Sequence, residues 1–87
     1  MDYFVRLNRA AQRELSRLDG RIHRQVLEKI LSLGENPRPQ DVKQLRGRDR
    51  SYRVHSGEYR ILYEIDDASK VVLVFRVGNR REAYRNL

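Results

Sequence analysis

The sequence predicts a small α+β domain: an N-terminal strand, an antiparallel helical hairpin, and a three-stranded antiparallel meander with the helices on one face and a basic concave face opposite. Three observations predict it. Apolar residues recur at helical spacing up to Leu33, the period falls from about 3.6 to 2 after a proline loop, and most of the excess positive charge lies in the strand-forming half. At 87 residues the chain makes one domain, 1–87, and any site lies on the face of a small core.

The elements follow in chain order. Tyr3 to Leu7 is aromatic and β-branched, which suits a short strand. Asn8 is an N-cap for a helix running to about Leu18, with Leu7, Ala11, Leu15 and Leu18 along one face. Asp19-Gly20 breaks the chain, and a second helix runs from about Arg21 to Leu33 on the stripe Ile22, Val26, Ile30 and Leu33, widened by Leu27 and Leu31. Gly34 is positioned as a C-cap, and Pro37 and Pro39 stop the helix. Tyr52–Ser56 and Tyr59–Ile65 then alternate, and Val71–Val77 is an apolar run of strand length. Gly57-Glu58 is a two-residue turn of the type with glycine first, Asp66–Lys70 a second turn, and Asn79–Asn86 a short polar tail or helical turn.

The first hairpin has a definite register. With Gly57-Glu58 as its loop, Ser56 faces Tyr59, His55 faces Arg60, Val54 faces Ile61, Arg53 faces Leu62 and Tyr52 faces Tyr63. Tyr52, Val54, Ile61 and Tyr63 then share the core face. Arg53, His55 and Arg60 cluster on the other, where opposed cations call for an anionic partner or open solvent. On the last strand the bulkier set Val71, Leu73, Phe75 and Val77 is taken as core, which puts Arg76 beside Arg60; Val72 and Val74 are the alternative.

Composition narrows the chemistry. There are 19 Lys+Arg against 12 Asp+Glu, a net charge of +7, and only Lys29, Lys43 and Lys70 are not arginine. Guanidinium is the planar, bidentate group suited to phosphate and to stacking on bases. Residues 46–60 and 76–85 each sum to +3, the first through Arg46, Arg48, Arg50, Arg53 and Arg60, the second through Arg76, Arg80, Arg81 and Arg85. With Tyr52, Tyr59 and Tyr84 interleaved, that concentration is the footprint of a nucleic-acid binder.

With no cysteine, disulfides, thiol catalysis and iron–sulfur clusters are excluded, and with only His23 and His55 as histidines we expect no metal site and no cofactor. The start MDYFVRLNRA is not a secretory signal and no apolar run approaches membrane length, so a soluble cytoplasmic protein without membrane contact is expected. RNA carries its own nucleophile in the 2′-OH, so cutting it needs a proton acceptor, a proton donor and fixed positive charge on the phosphate. A single histidine among guanidiniums can supply the charge and part of the proton transfer.

The segment Leu45-Arg46-Gly47 leading into Tyr52-Arg53-Val54, the run Gly57 to Ile65, and Val77-Gly78-Asn79-Arg80-Arg81-Glu82-Ala83-Tyr84-Arg85 resemble the RelE/ParE toxins of type II toxin–antitoxin systems, over nearly the whole chain. The resemblance to the RelE branch implies an mRNA interferase, a metal-independent endoribonuclease that enters the ribosomal A site and cuts mRNA by 2′-OH attack, held inactive by a cognate antitoxin. It implies that Arg60 stabilises the phosphate, that Arg80 stabilises charge or protonates the leaving group, that Arg53 and His55 occupy basic positions that include a proposed base, and that Tyr84 contacts substrate. Arg46, Arg48, Arg50, Arg76, Arg81 and Arg85 are the expected RNA-binding residues. Asn79 departs from the family, standing where many relatives carry His or Lys. The alternatives are a ParE-like toxin that inhibits DNA gyrase without cutting RNA, and an inactive homologue kept as an antitoxin-binding module.

Overall fold

The computed structural model describes residues 2–80, in the order β1 (Phe4–Leu7), α1 (Arg9–Ser16), α2 (Gly20–Ser32), β2 (Lys43–Gln44), β3 (Ser51–Ser56), β4 (Tyr59–Asp66) and β5 (Val71–Asn79). The strands form one mixed sheet in the order β1-β5-β4-β3-β2; β1 runs parallel to β5 and every other neighbour is antiparallel. The expected α+β architecture is present.

Local chemistry sets the element ends. Asn8 caps α1, its side-chain oxygen accepting from the Ala11 amide at 2.8 Å, as the sequence predicts. Helix α1 stops at Ser16, short of the expected Leu18, and Gly20 joins the helices with φ +53°, a left-handed conformation that glycine adopts without strain. Gly34 is not among the residues with positive φ; α2 ends at Leu33 with right-handed geometry, so the predicted glycine cap is not formed. The short β2 has no counterpart in the sequence reading. Two residues are too few to show alternation, and its pairing, Lys43 with Arg53 and Gln44 with Tyr52, is visible only in the fold.

Ala11, Leu15, Val26, Ile30 and Leu33 from the helices pack against Val54, Ile61, Tyr63, Ile65, Val72, Val74 and Val77 from the sheet, forming one core on one face. On β5 the expected core set fails in its first half. Val72 and Val74 are fully buried while Val71, Leu73 and Phe75 are only partly so. The reason is a bulge: Tyr63 pairs with Val74 and Leu62 with Arg76, leaving Phe75 as an extra residue. Without it the alternation from Val74 would carry Arg76 into the core, where a charge is costly. The extra residue restores Val77 to the core and sends Arg76 to the open face.

The loops are tied down by polar contacts. Tyr63, buried in the core, donates its hydroxyl to the Pro37 carbonyl at 2.6 Å, and burial pushes its phenol pKa upward. Asp67 accepts from Arg38 at 2.8 and 3.2 Å and from the Tyr3 hydroxyl at 2.5 Å. These bonds, the Arg38 one foremost, hold its carboxyl down at about 2.

Candidate functional site

The site begins at the β3–β4 turn. Gly57 has φ +58° while Glu58 is not in the positive-φ region, the pattern of a two-residue turn with glycine first. That turn sets the register, and all five expected pairs form: Ser56–Tyr59, His55–Arg60, Val54–Ile61, Arg53–Leu62 and Tyr52–Tyr63. Parity then puts Arg53, His55 and Arg60 on the face away from the helices. Strand β5 extends both rows, with Gly78 opposite Arg60 and Arg76 opposite Leu62. Gly78 has no side chain, so β5 adds no charge to the row His55–Arg60. Beyond the strand, the Arg80 amide donates to the Glu58 carbonyl at 2.8 Å, which fixes the exposed Arg80 beside the hairpin turn at the same end of the sheet.

Three guanidiniums on this face are in different states. The Arg76 Nε lies 3.2 Å from the Glu14 carboxylate of α1, at charge-contact distance though off the hydrogen-bond line, and the same carboxylate accepts from the Val77 amide at 2.8 Å. Arg76, expected to bind RNA, is therefore already neutralised. The Arg60 Nε is buried and has no hydrogen-bond partner among the described residues. Arg48 reaches from the loop between β2 and β3 over the ring of Phe75, 5.1 Å from its centre.

His55 has a carboxylate behind it. Asp41 Oδ2 lies 3.6 Å from the imidazole Nδ1 and 3.4 Å from the His55 amide, and Asp41 Oδ1 is 3.0 Å from Lys29 Nζ of α2. Partial burial pushes the Asp41 carboxyl pKa up, but the bonds from Lys29 and the His55 amide outweigh it and the net displacement is downward. Asp41 was not legible in the sequence: its place opposite His55 follows from β2.

The face is less uniformly basic than expected. Leu62 is fully buried yet lies outside the helix-side core, and with Phe75 it gives the face an apolar floor. Tyr52 packs on the helix side as the register predicts, 6.0 Å from Tyr63 ring to ring, and Tyr59 packs there too, so neither tyrosine that interleaves with the arginines in the sequence shares their face. Among the described residues Phe75, under Arg48, brings an aromatic ring to this face. Arg50 sits apart, about 16 Å along the strand from His55 at ~3.3 Å per residue, lining a cavity of about 210 Å³ with Glu64 and Asp66. Arg46 is exposed on the same loop. Arg81, Tyr84 and Arg85 lie outside the described residues.

Together these groups can grip a phosphate: a half-buried guanidinium whose Nε has no hydrogen-bond partner among the described residues, a second cation at the strand end, and an imidazole with a carboxylate behind it. No three His, Cys, Asp or Glu side chains among the described residues come together as a metal site, and no helix among them is long and apolar enough to cross a membrane.

The comparisons point to one superfamily, through a ParE family model and RelE-type relatives. Residues 5–84 match the family model described as ParE toxin of type II toxin–antitoxin system, parDE. The mRNA interferase toxin RelE of Escherichia coli is 31% identical over 85 residues, covering 95% of this chain and 88% of that protein. Toxin RelG of Mycobacterium tuberculosis is 34% identical over 86 residues, covering 98% and 99%. Among solved structures, the RelE–RelB complex of Pyrococcus horikoshii superposes with a TM-score of 0.82 at 28% identity over 95% of this chain and all of that one. The RelBE2 complex of M. tuberculosis does so at 0.78 and 35%, covering 92% of this chain and 100% of that one.

Proposed function

The chain belongs to the RelE/ParE superfamily and is a RelE-like toxin of a type II toxin–antitoxin system; from that premise we propose that it acts as a ribosome-dependent mRNA endoribonuclease. The observation that carries the reading is Arg60. A buried guanidinium nitrogen without a partner costs stability, and the expense is explained if an RNA phosphate completes it.

In this reading His55 Nε2 takes the proton from the 2′-OH, the 2′-oxygen bonds to phosphorus, and the bond from phosphorus to the 5′-oxygen breaks. The 5′-oxygen takes a proton from water as it leaves and His55 later returns its own to solvent, giving a 2′,3′-cyclic phosphate and a 5′-hydroxyl. Arg60 and Arg80 hold the charge that accumulates on the phosphoryl oxygens, the task that a metal performs in other nucleases. Arg53 adds to the field, Arg48 meets the RNA beside Phe75, and Arg46, Arg81, Arg85 and Tyr84 are the further residues proposed to contact RNA. Asn79 brings no titratable group, which leaves His55 as the proton carrier.

The partners follow from the same chemistry. RelE structures solved with RelB support an antitoxin as the controlling partner of this chain, with acidic residues to meet its net charge of +7. The reading is tested by primer extension on mRNA after induction without antitoxin: cuts at codon-defined positions are expected, with loss on Arg60→Ala. Intact mRNA with inhibited supercoiling by gyrase would instead favour the ParE-like alternative.

A further inference from the structure

We propose that Asp41 is the positioning residue of the site: it fixes the ring of His55 with its proton on Nδ1, leaving Nε2 as the nitrogen that accepts a proton from RNA. The proposal rests on the RNA-cleaving reading for its catalytic consequence, and on geometry for the positioning itself.

The Asp41 carboxylate is divided between two elements. One oxygen is held by Lys29 of α2 at 3.0 Å, while the other faces β3, 3.4 Å from the His55 amide and 3.6 Å from its Nδ1. Side-chain exposure is 28% for Asp41 and 26% for Lys29, against 46% for His55. The carboxylate is thus shielded while the imidazole is open to a ligand. An ionised carboxylate only accepts hydrogen bonds, so the ring nitrogen that turns toward it carries the hydrogen. A distance of 3.6 Å is longer than a hydrogen bond, and free enzymes commonly hold such pairs long until substrate tightens them. Lys29 keeps the carboxylate charged and stops it from turning away.

A purely structural Asp41 would tie the β2 edge to α2 and do nothing more. Two measurements separate these roles. The first is the ring-nitrogen NMR spectrum of His55 in the purified toxin: the Nδ1–H tautomer is expected in the parent protein, shifting toward Nε2–H in Asp41→Asn, whose amide can donate to Nδ1. An unchanged spectrum overturns the proposal and leaves the RNA-cleaving reading intact. The second is cleavage of mRNA on programmed ribosomes by Asp41→Asn, His55→Ala and the double variant. Asp41→Asn is expected to lose about tenfold or more in rate, with no further loss once His55 is alanine. Losses that multiply in the double variant overturn the proposal, because Asp41 would then act elsewhere. If Asp41→Asn melts early, Lys29→Met takes its place, with a smaller fall that likewise vanishes in the His55→Ala background. Parent protein that cuts no RNA overturns the reading, and the tautomer measurement still decides the positioning.

Discussion

Replacing Arg60 with methionine tests the phosphate-binding role through stability as well as activity. Methionine keeps an unbranched stem and removes the guanidinium. In the folded protein the Arg60 Nε is buried and lacks a hydrogen-bond partner among the described residues, and its cross-strand neighbour is His55. An uncompensated buried polar group costs about 1–3 kcal/mol. After discounting for the part-exposed remainder of the side chain, Arg60→Met is expected to stabilise by about 0.5–2 kcal/mol, which raises the melting temperature by several degrees at ~4–8 °C per kcal/mol for a domain of this size. Cleavage is expected to fall by about 10²–10³, the loss typical of removing one preorganised group from a charged transition state. Arg76→Met is the built-in comparison: its guanidinium meets Glu14 at 3.2 Å, with side chains 25% and 23% exposed. It is expected to destabilise by about 0.5–1 kcal/mol after solvent screening. Thermal melts and initial cleavage rates of the two variants decide the matter. A lower melting temperature for Arg60→Met would mean that Arg60 already has a structural partner, and the case for a waiting phosphate site would collapse.

Other perturbations follow from single contacts. Tyr63→Phe removes the 2.6 Å bond to Pro37 and leaves a buried carbonyl unpaired, with an expected loss of about 1–2 kcal/mol in urea unfolding at unchanged m-value. Asp67, with its carboxyl held at about 2 in the fold against about 3.9 unfolded, stabilises above the unfolded value and loses that contribution as pH falls through about 2; Asp67→Asn is expected to flatten melting temperature against pH between about 5 and 2. Deleting Phe75 removes the bulge and confronts β5 with burying Arg76 or exposing Val72 and Val74, so no cooperative melt is expected; a deletion variant that melts normally would refute the account of register.

The structure agrees with the sequence wherever one local rule decides the geometry. Asn8 capped its helix because a side chain and an amide three residues apart suffice. The β3–β4 register was readable because Gly57-Glu58 admits a specific two-residue turn, and from it came the grouping of Arg53, His55 and Arg60. The ends of α1 and α2 drifted because Asp19-Gly20 and Gly34 give several ways to stop a helix, and packing chooses among them. Asp41 and β2 were hidden for a stricter reason. A strand of two residues has no period, and its partner lies across a loop.

Strand β5 shows how site and core share one constraint. Its residues satisfy neither simple alternation: Val72 and Val74 fit one parity, Val77 and Arg76 the other. Both sets of apolar residues can be buried only if an extra residue is placed between them, and Phe75 is the residue at which the registers change. The signal was present in the sequence as an arginine interrupting an apolar strand. The requirement to keep Arg76 out of the core identifies the strand half that must shift. The same bulge puts Arg76 against Glu14, places Phe75 under Arg48 and brings Gly78 opposite Arg60. Between the Arg76–Glu14 pair and Gly78, the buried Arg60 Nε is left without a hydrogen-bond partner among the described residues. One inserted residue, demanded by packing, thereby shapes the surroundings of the position proposed to bind a phosphate.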